Sequence, residues 1–266
     1  MMHREMSLTD KKIIITRAQE QASEAHEIFR NNGAEVFDLP SLVIAPPDDW
    51  APLDDALQKI FTFDWIIFSS ANGVRNVDER MQQIGLSLSK ISKTIKIAAV
   101  GRKTASLLSD INAKISFVPP SFSADSLVEH FPQNQKGLKL FIPRVQTGGR
   151  SVLTDSFTLK GAEVIEVAAY ESYCPQDIPQ KTIDALNSGK IDIIAFTSGK
   201  TVINTVSLLN KYFGENWSKL IEKIKIVSIG PQTSNRCEKL IRKPDKEANP
   251  HDLDGLLKSC LELNYY

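Results

Sequence analysis

Short continuous runs of β-branched and aromatic residues recur along the chain, each followed by a longer stretch with helical spacing. Ile13 to Thr16 reads as a buried strand. From Ala18 to Asn32 the apolar positions Ala22, Ala25, Ile28 and Phe29 follow helical periodicity, and Gly33 stands where a helix-ending glycine belongs. Trp65 to Phe68 and Ile97 to Val100 are further strands, and Thr104 to Leu108 opens another helix. Strands alternating with helices predict βαβ units and a mostly parallel sheet with helices on both faces.

The pattern occurs twice. Lys12-Ile13-Ile14-Ile15-Thr16-Arg17 matches Lys139-Leu140-Phe141-Ile142-Pro143-Arg144 at an offset of 127 residues. Gly33-Ala34-Glu35-Val36 returns as Gly161-Ala162-Glu163-Val164, and Asp64 to Ser70 returns as Asp192 to Ser198, both at 128. Lys96 to Gly101 returns as Lys225 to Gly230 at 129, with Thr104 on Thr233, Asp125 on Asp254 and Leu127 on Leu256. Ordered matches with a drift of two residues are what duplication with small loop insertions produces. The period is too long for a solenoid, so each copy amounts to about one domain.

Two stretches break the rhythm. Val36 to Pro40 and Val164 to Tyr173 follow the two glycine corners and look like extended connectors rather than sheet cores. Paired, they would form a two-stranded bridge. The expected fold is therefore α/β: two similar lobes, each a parallel sheet flanked by helices, joined by a two-stranded β-ladder. Residues 1–36 with 174–266 would form one lobe and 42–167 the other, with 37–41 and 168–173 as connectors. Each lobe would mix both copies.

Composition narrows the function. Lys plus Arg and Asp plus Glu each number 32, and the span 42–167 carries 14 basic against 13 acidic residues, so neither lobe is a basic platform. That argues against nonspecific binding to nucleic acid or to an anionic membrane. Cys174, Cys237 and Cys260 are odd in number and far apart, and His3, His26, His130 and His251 are scattered, so neither a disulfide framework nor a zinc pattern is expected. Arg4, Glu5, Asp10, Lys11 and Lys12 occupy the place of a secretory leader's apolar core, and no apolar run approaches the ~20 residues of a membrane span. A cytoplasmic location is the expectation.

Ligands of parallel α/β sheets bind beyond the carboxyl ends of the strands. Four strand ends lead through a small polar turn into a helix: Ser69-Ser70-Ala71-Asn72-Gly73, Thr197-Ser198-Gly199-Lys200-Thr201, Gly101-Arg102-Lys103-Thr104 and Gly230-Pro231-Gln232-Thr233. Free N–H groups, the helix dipole and hydroxyls there suit carboxylate or phosphate, while the same Ser and Thr also serve as plain helix caps. Four such turns at equivalent places favour ligand binding. Neither Gly-x-Gly-x-x-Gly nor a P-loop is present. Arg144 and Arg150 flank Gly148-Gly149 and suit a bidentate carboxylate as well as a solvated turn, and Arg17 is the first-copy counterpart of Arg144. Asp48-Asp49 and Asp54-Asp55 read as solvated or capping. Tyr170 and Tyr173 stand on the second connector, where a phenol either packs or donates a hydrogen bond.

Taken in order, Ile14-Ile15-Thr16-Arg17, Phe68 to Val74, Val100-Gly101 with Thr104-Ala105, Pro143-Arg144, Tyr170-Glu171, Phe196-Thr197-Ser198 and Ile229-Gly230-Pro231 with Thr233 make the chain resemble the uroporphyrinogen-III synthase family. The resemblance implies two α/β lobes with the active site between them. It implies a cofactor-free, metal-free lyase that closes the linear tetrapyrrole hydroxymethylbilane, a polycarboxylate, into uroporphyrinogen III with ring D inverted. Tyr170 would assist departure of the terminal hydroxyl. Ser70, Thr104, Ser198 and Thr233 match the family's cleft hydroxyls, and Arg17, Ser69, Asn72, Gly101, Arg144, Thr197, Gly230 and Gln232 complete the expected binding set. Gly199 replaces a proline frequent in the family, and Val145-Gln146-Thr147 replaces a glycine.

Competing readings are a two-lobed small-molecule receptor and a noncatalytic tetrapyrrole-binding paralogue. Tyr170 and the Thr104/Thr233 pair favour the synthase. A monomer is expected, with no nucleic-acid or membrane partner.

Overall fold

The computed structural model describes residues 7–18, 22–149 and 151–263. In chain order the elements are β1 (Lys12–Thr16), α1 (Ala22–Asn31), β2 (Glu35–Asp38), β3 (Val43–Ala45), α2 (Ala51–Gln58), β4 (Trp65–Phe68), α3 (Ala71–Gln83) and α4 (Leu88–Ile91). There follow β5 (Lys96–Ala99), α5 (Arg102–Asp110), α6 (Ala124–Glu129), β6 (Lys139–Val145), α7 (Val152–Leu159), β7 (Glu163–Tyr173) and α8 (Gln180–Asn187). The chain ends with β8 (Ile193–Phe196), α9 (Gly199–Phe213), α10 (Trp217–Ile221), β9 (Lys225–Ser228), α11 (Pro231–Leu240), β10 (Lys246–Glu247) and α12 (Leu253–Leu263). His3 and Arg150 lie outside the described residues.

The chain divides into two compact units, one of Met1–Val43 with Tyr173–Tyr266 and one of Ile44–Ser172. The first holds a sheet of order β10-β9-β8-β1-β2, parallel at every pairing. The second sheet runs β3-β7-β6-β4-β5, with β7-β6-β4-β5 parallel. The duplication makes these one topology written twice. Strands β9-β8-β1-β2 of the first sheet correspond to β5-β4-β6-β7 of the second, and each of these four-strand sets takes two strands from each copy.

Both faces of each sheet are covered, which is why the strands read as unbroken apolar runs. In the first unit Ile14, Ile194, Phe196 and Ile226 join one buried layer, while Ile13, Ile15, Ile193, Ala195 and Val227 join the other. In the second, Ile66, Phe68, Ile97 and Phe141 face one layer, and Trp65, Ile67, Ala98, Leu140 and Ile142 face the opposite one. Gly33 has φ 92°, and a Cβ there would meet the Thr9 hydroxyl at 2.8 Å, so this helix-ending corner requires glycine.

The two stretches expected to be connectors are sheet strands. Phe37 and Asp38 pair with Ile14 and Ile15 in β1, and β7 runs beside β6 from Glu163 to Tyr170. Strand β7 has β6 and β3 as its sheet neighbours, and the chain passes between the two units on these neighbouring strands, so the expected joining ladder uses β3, a few residues after the expected 37–41. Their charged residues hid them: Glu35 sits 3.5 Å from Lys12, and Glu166 lies 2.6 Å from Arg144. Asp54 also departs from expectation. It lies on α2 and takes two 2.6 Å hydrogen bonds from Arg80, which hold its carboxyl below the usual range.

Candidate active site

In the second unit, β4 ends at Phe68 and the chain turns through Ser69 and Ser70 into α3. Ser69 is exposed. Ser70 is extended (φ −148°) and is the N-cap, its Oγ accepting from the Gly73 N–H at 3.0 Å. The same Oγ lies 3.0 Å from the Tyr170 hydroxyl. Asn72, half-buried in the first turn of α3, accepts from the Asn76 amide through its backbone carbonyl at 2.9 Å.

Tyr170 owes its position to a bulge. Arg144 pairs with Ala168 and Val145 with Tyr170, so Ala169 is skipped. Ala169 and Tyr170, consecutive in sequence, thereby turn to the same buried layer. The tyrosine is 7% exposed. Burial, above all, pushes its phenol above the usual 10, the Ser70 hydrogen bond opposes this, and the Glu171 charge adds to it.

Beyond β5, Gly101 is the extended N-cap of α5 (φ −113°), and Thr104 in the first turn is 3% exposed. A Cβ at Gly101 would touch the Thr104 hydroxyl at 3.7 Å. The exposed Arg102 and Lys103 place cationic side chains at this helix start. Arg144 already has a carboxylate partner: Nη1 donates to Glu166 at 2.6 Å, Nε to the Val145 carbonyl at 3.2 Å and Nη2 to the Gly149 carbonyl at 3.4 Å. Glu166 is also held by Thr154 Oγ1.

The first unit repeats the design at β1, β8 and β9. Arg17 follows β1, is 5% exposed and donates from Nη2 to Glu24 at 3.2 Å. Thr197 donates to the Thr16 carbonyl at 2.5 Å. Ser198 caps α9 in a reciprocal box: its Oγ accepts from Thr201 N–H and its N–H donates to Thr201 Oγ1, both at 3.2 Å. At the start of α11, Gly230 is an extended N-cap, Gln232 is exposed and Thr233 is 4% exposed. A Cβ at Gly230 would press on the His251 ring at 3.2 Å.

The structure thus brings Ser70 and Tyr170 together in one unit and sets Thr197 and Ser198 on one turn of the other. It also adds residues that the expected binding set left out. Thr201, 1% exposed, is joined to Thr16 by a 3.1 Å hydroxyl contact, and the Ser-x-x-Thr spacing before an apolar run was its available signal. Ser41 and Thr205 share a buried 2.7 Å hydroxyl pair, and Asn204 donates to the Ser41 carbonyl at 2.7 Å.

A cavity of about 550 Å³ lies between α1 and the end of β2, lined by Ser23, His26, Arg30, Asp38 and Pro179 among others. None of the expected catalytic or binding residues lines it, and the donor-bearing turns are better matched to a polyanion. Among the described residues no group of three His, Cys, Asp or Glu could hold a metal ion. The Cys237 thiol is pushed up to about 12 by burial, and the Cys260 and Cys174 thiols are raised for the same reason, which disfavours thiolate chemistry.

These features define a duplicated α/β protein whose strand-end turns present hydroxyls, helix N-termini and cations, with the buried Tyr170 of β7 hydrogen-bonded to one of them. Residues 23–258 match the family described as "Uroporphyrinogen-III synthase HemD", and the chain belongs to that family. It is 44% identical over 253 residues to the uroporphyrinogen-III synthase of Synechococcus elongatus, covering 95% of each chain. It is 26% identical over 239 residues to that of Chlorobaculum parvum, covering 88% of this chain and 92% of the relative. The fold is similar to the crystal structure of a mutant uroporphyrinogen III synthase from the extremely thermophilic bacterium Thermus thermophilus, with a TM-score of 0.69 at 16% identity over 96% of this chain and 100% of the other. Among the described residues no helix is long and apolar enough to cross a membrane.

Proposed function

We propose that the chain is a uroporphyrinogen-III synthase, a cyclising lyase that converts hydroxymethylbilane into uroporphyrinogen III with inversion of ring D, acting as a cytoplasmic monomer without cofactor or metal. The observation that carries this reading is the 44% identity to the Synechococcus elongatus synthase across 95% of both chains.

The geometry suits the chemistry. The substrate is a flexible polycarboxylate able to close unaided in the wrong order, so catalysis consists largely of holding one conformation and easing departure of the terminal hydroxyl. Carboxylates call for N–H and hydroxyl donors, and the turns at Ser69-Ser70, Gly101, Thr197-Ser198 and Gly230 offer them in both units. The exposed Ser69 and Gln232, with Asn72, Thr104 and Thr233 beside the helix starts, are the candidate contacts. Tyr170 is the candidate hydrogen-bond donor to the leaving hydroxyl. Its phenol, ordinarily titrating near 10, is protonated at neutral pH, and burial raises it further.

The test is an assay with freshly generated hydroxymethylbilane and quantification of the product isomers. Isomer III in proportion to enzyme is expected. Isomer I alone at every enzyme concentration would overturn the reading, and tight tetrapyrrole binding in that case would mark a noncatalytic binding protein.

A further inference from the structure

We propose that Ser70 is a positioning residue for Tyr170, orienting the phenol so that its proton points outward to the departing hydroxyl, instead of a direct substrate ligand. The proposal rests on the synthase reading and deepens it.

The hydrogen-bond inventory of the Ser70 oxygen carries the inference. A serine hydroxyl has one proton and two acceptor lone pairs. The Gly73 N–H, at 3.0 Å, occupies one lone pair as the cap of α3. The Tyr170 oxygen, at 3.0 Å, occupies a second position. Two hydroxyls facing each other share one hydrogen bond, and its direction decides the chemistry. If tyrosine donated to serine, its own proton would be taken up internally. If serine donates to tyrosine, the phenol proton is released for another acceptor.

The surroundings favour the second direction. Ser70 Oγ already accepts from the first turn of a 13-residue helix, whose N-terminal field is positive. Accepting from an N–H polarises the serine O–H and makes it a better donor, so Gly73 N–H, Ser70 O–H and Tyr170 O–H form a chain aligned head to tail. The bulge at Tyr170 turns the residue to the buried layer from which its hydroxyl meets this partner. Burial and the neighbouring Glu171 both make the phenol a weaker acid, and Ser70 is the contact working in the opposite sense. The other three strand-end caps show no phenol in this role: Ser198 is closed on Thr201, and Gly101 and Gly230 have no side chain. Ser70 and Ser198 therefore occupy equivalent places in the duplication and do different work.

The experiment compares Ser70→Gly, Ser70→Thr, Tyr170→Phe and the double variant Ser70→Gly/Tyr170→Phe. Glycine is tolerated at an N-cap, so Ser70→Gly retains the helix start, and threonine restores the hydroxyl. Turnover to isomer III is measured with KM, and the Tyr170 phenol is titrated through its ¹³Cζ signal, assigned by its loss in Tyr170→Phe. Ser70→Gly is expected to lower kcat about tenfold, the order of one neutral hydrogen bond, with KM nearly unchanged. Its Tyr170 signal should titrate at higher pH than in the wild type, Ser70→Thr should recover both readouts, and the double variant should be no slower than Tyr170→Phe alone. A Ser70→Gly effect confined to KM, or fully additive with Tyr170→Phe, would overturn the proposal. So would an unmoved Tyr170 titration, and this readout needs no substrate. Wild-type protein that made no isomer III would instead sink the synthase reading, with the titration still deciding whether serine donates to the phenol.

Discussion

The Arg144 guanidinium lies 2.6 Å from the Glu166 carboxylate across neighbouring strands β6 and β7. Both side chains are substantially buried, at 19% and 27% exposure, and Gly149 closes over the arginine. The residue that the Pro-Arg motif offers as a substrate clamp is thus engaged within its own chain. Arg144→Ala is expected to destabilise the protein by about 1–2 kcal/mol, since Glu166 keeps Thr154 but loses its charged partner. KM should stay within about threefold of wild type, as for a group that does not reach the substrate. Denaturant unfolding and steady-state kinetics on the same preparation check both statements.

Tyr170→Phe removes the phenol and leaves the Ser70 cap on Gly73 in place. Turnover is expected to fall about 10- to 100-fold, at or just below the lower end of general-acid assistance, with stability within about 1 kcal/mol of wild type. In the wild type, burial holds the phenol above its usual 10, so the rate should show no alkaline loss from this group up to that pH. Its contribution to stability is fully present below 10 and is lost as pH rises through the folded value. A kcat profile with an alkaline limb below pH 10 that disappears in Tyr170→Phe would contradict this assignment.

Thr201→Val tests the equivalent turn of the first unit. The Thr201 hydroxyl donates to the Ser198 carbonyl at 2.8 Å, accepts from the Ser198 N–H at 3.2 Å and meets Thr16 at 3.1 Å. Valine keeps the shape and removes all three contacts, at an expected cost of about 2 kcal/mol. If Thr197 and Ser198 contact the substrate, KM should rise as their turn loosens. Unfolding curves and KM together separate these effects.

His26, buried on α1, gives the protein an acid-sensitive point. Its Nε2 lies 2.7 Å from Asp38, yet the cost of burying an imidazolium outweighs the pull of that half-exposed carboxylate. Arg30 adds repulsion, so the imidazole titrates below its usual 6.5. The folded state therefore binds fewer protons than the unfolded chain as pH falls past 6.5. Stability from this group is complete above that value and is lost as pH falls through the lower folded one. Comparing the unfolding free energy of wild type and His26→Gln at about pH 7.5 and about pH 5.5 should show a smaller loss on acidification in the variant.

Most of the architecture was legible because the inner strands are buried on both faces. Trp65 to Phe68 and Ile193 to Phe196 can be nothing but sheet interior, and their repetition exposed the duplication. Strands β2 and β7 were misread because Glu35, Asp38, Glu163 and Glu166 interrupt them. The partners that satisfy these charges, Lys12, His26, Lys139 and Arg144, come from other elements. The candidate site was legible as residue types at strand ends, where chain direction alone dictates the location. Its wiring was not: Ser70 meets Tyr170 across 100 residues of sequence, and only the order β7-β6-β4 with a bulge at Tyr170 brings the two oxygens to 3.0 Å.

The strand order of the first unit also sets a timetable for biogenesis. Strand β1 needs β8 on one side, and Ile13 pairs with Ile193, which leaves the ribosome 180 residues later. The unit spanning Ile44–Ser172 has its four parallel strands in one uninterrupted run and emerges whole before β8 is made. Nascent chains usually mature from the amino end, but here the insert is ready first and the earliest strand stays half-paired the longest. That open edge, Ile13 to Ile15, is the stretch a chaperone would need to shield.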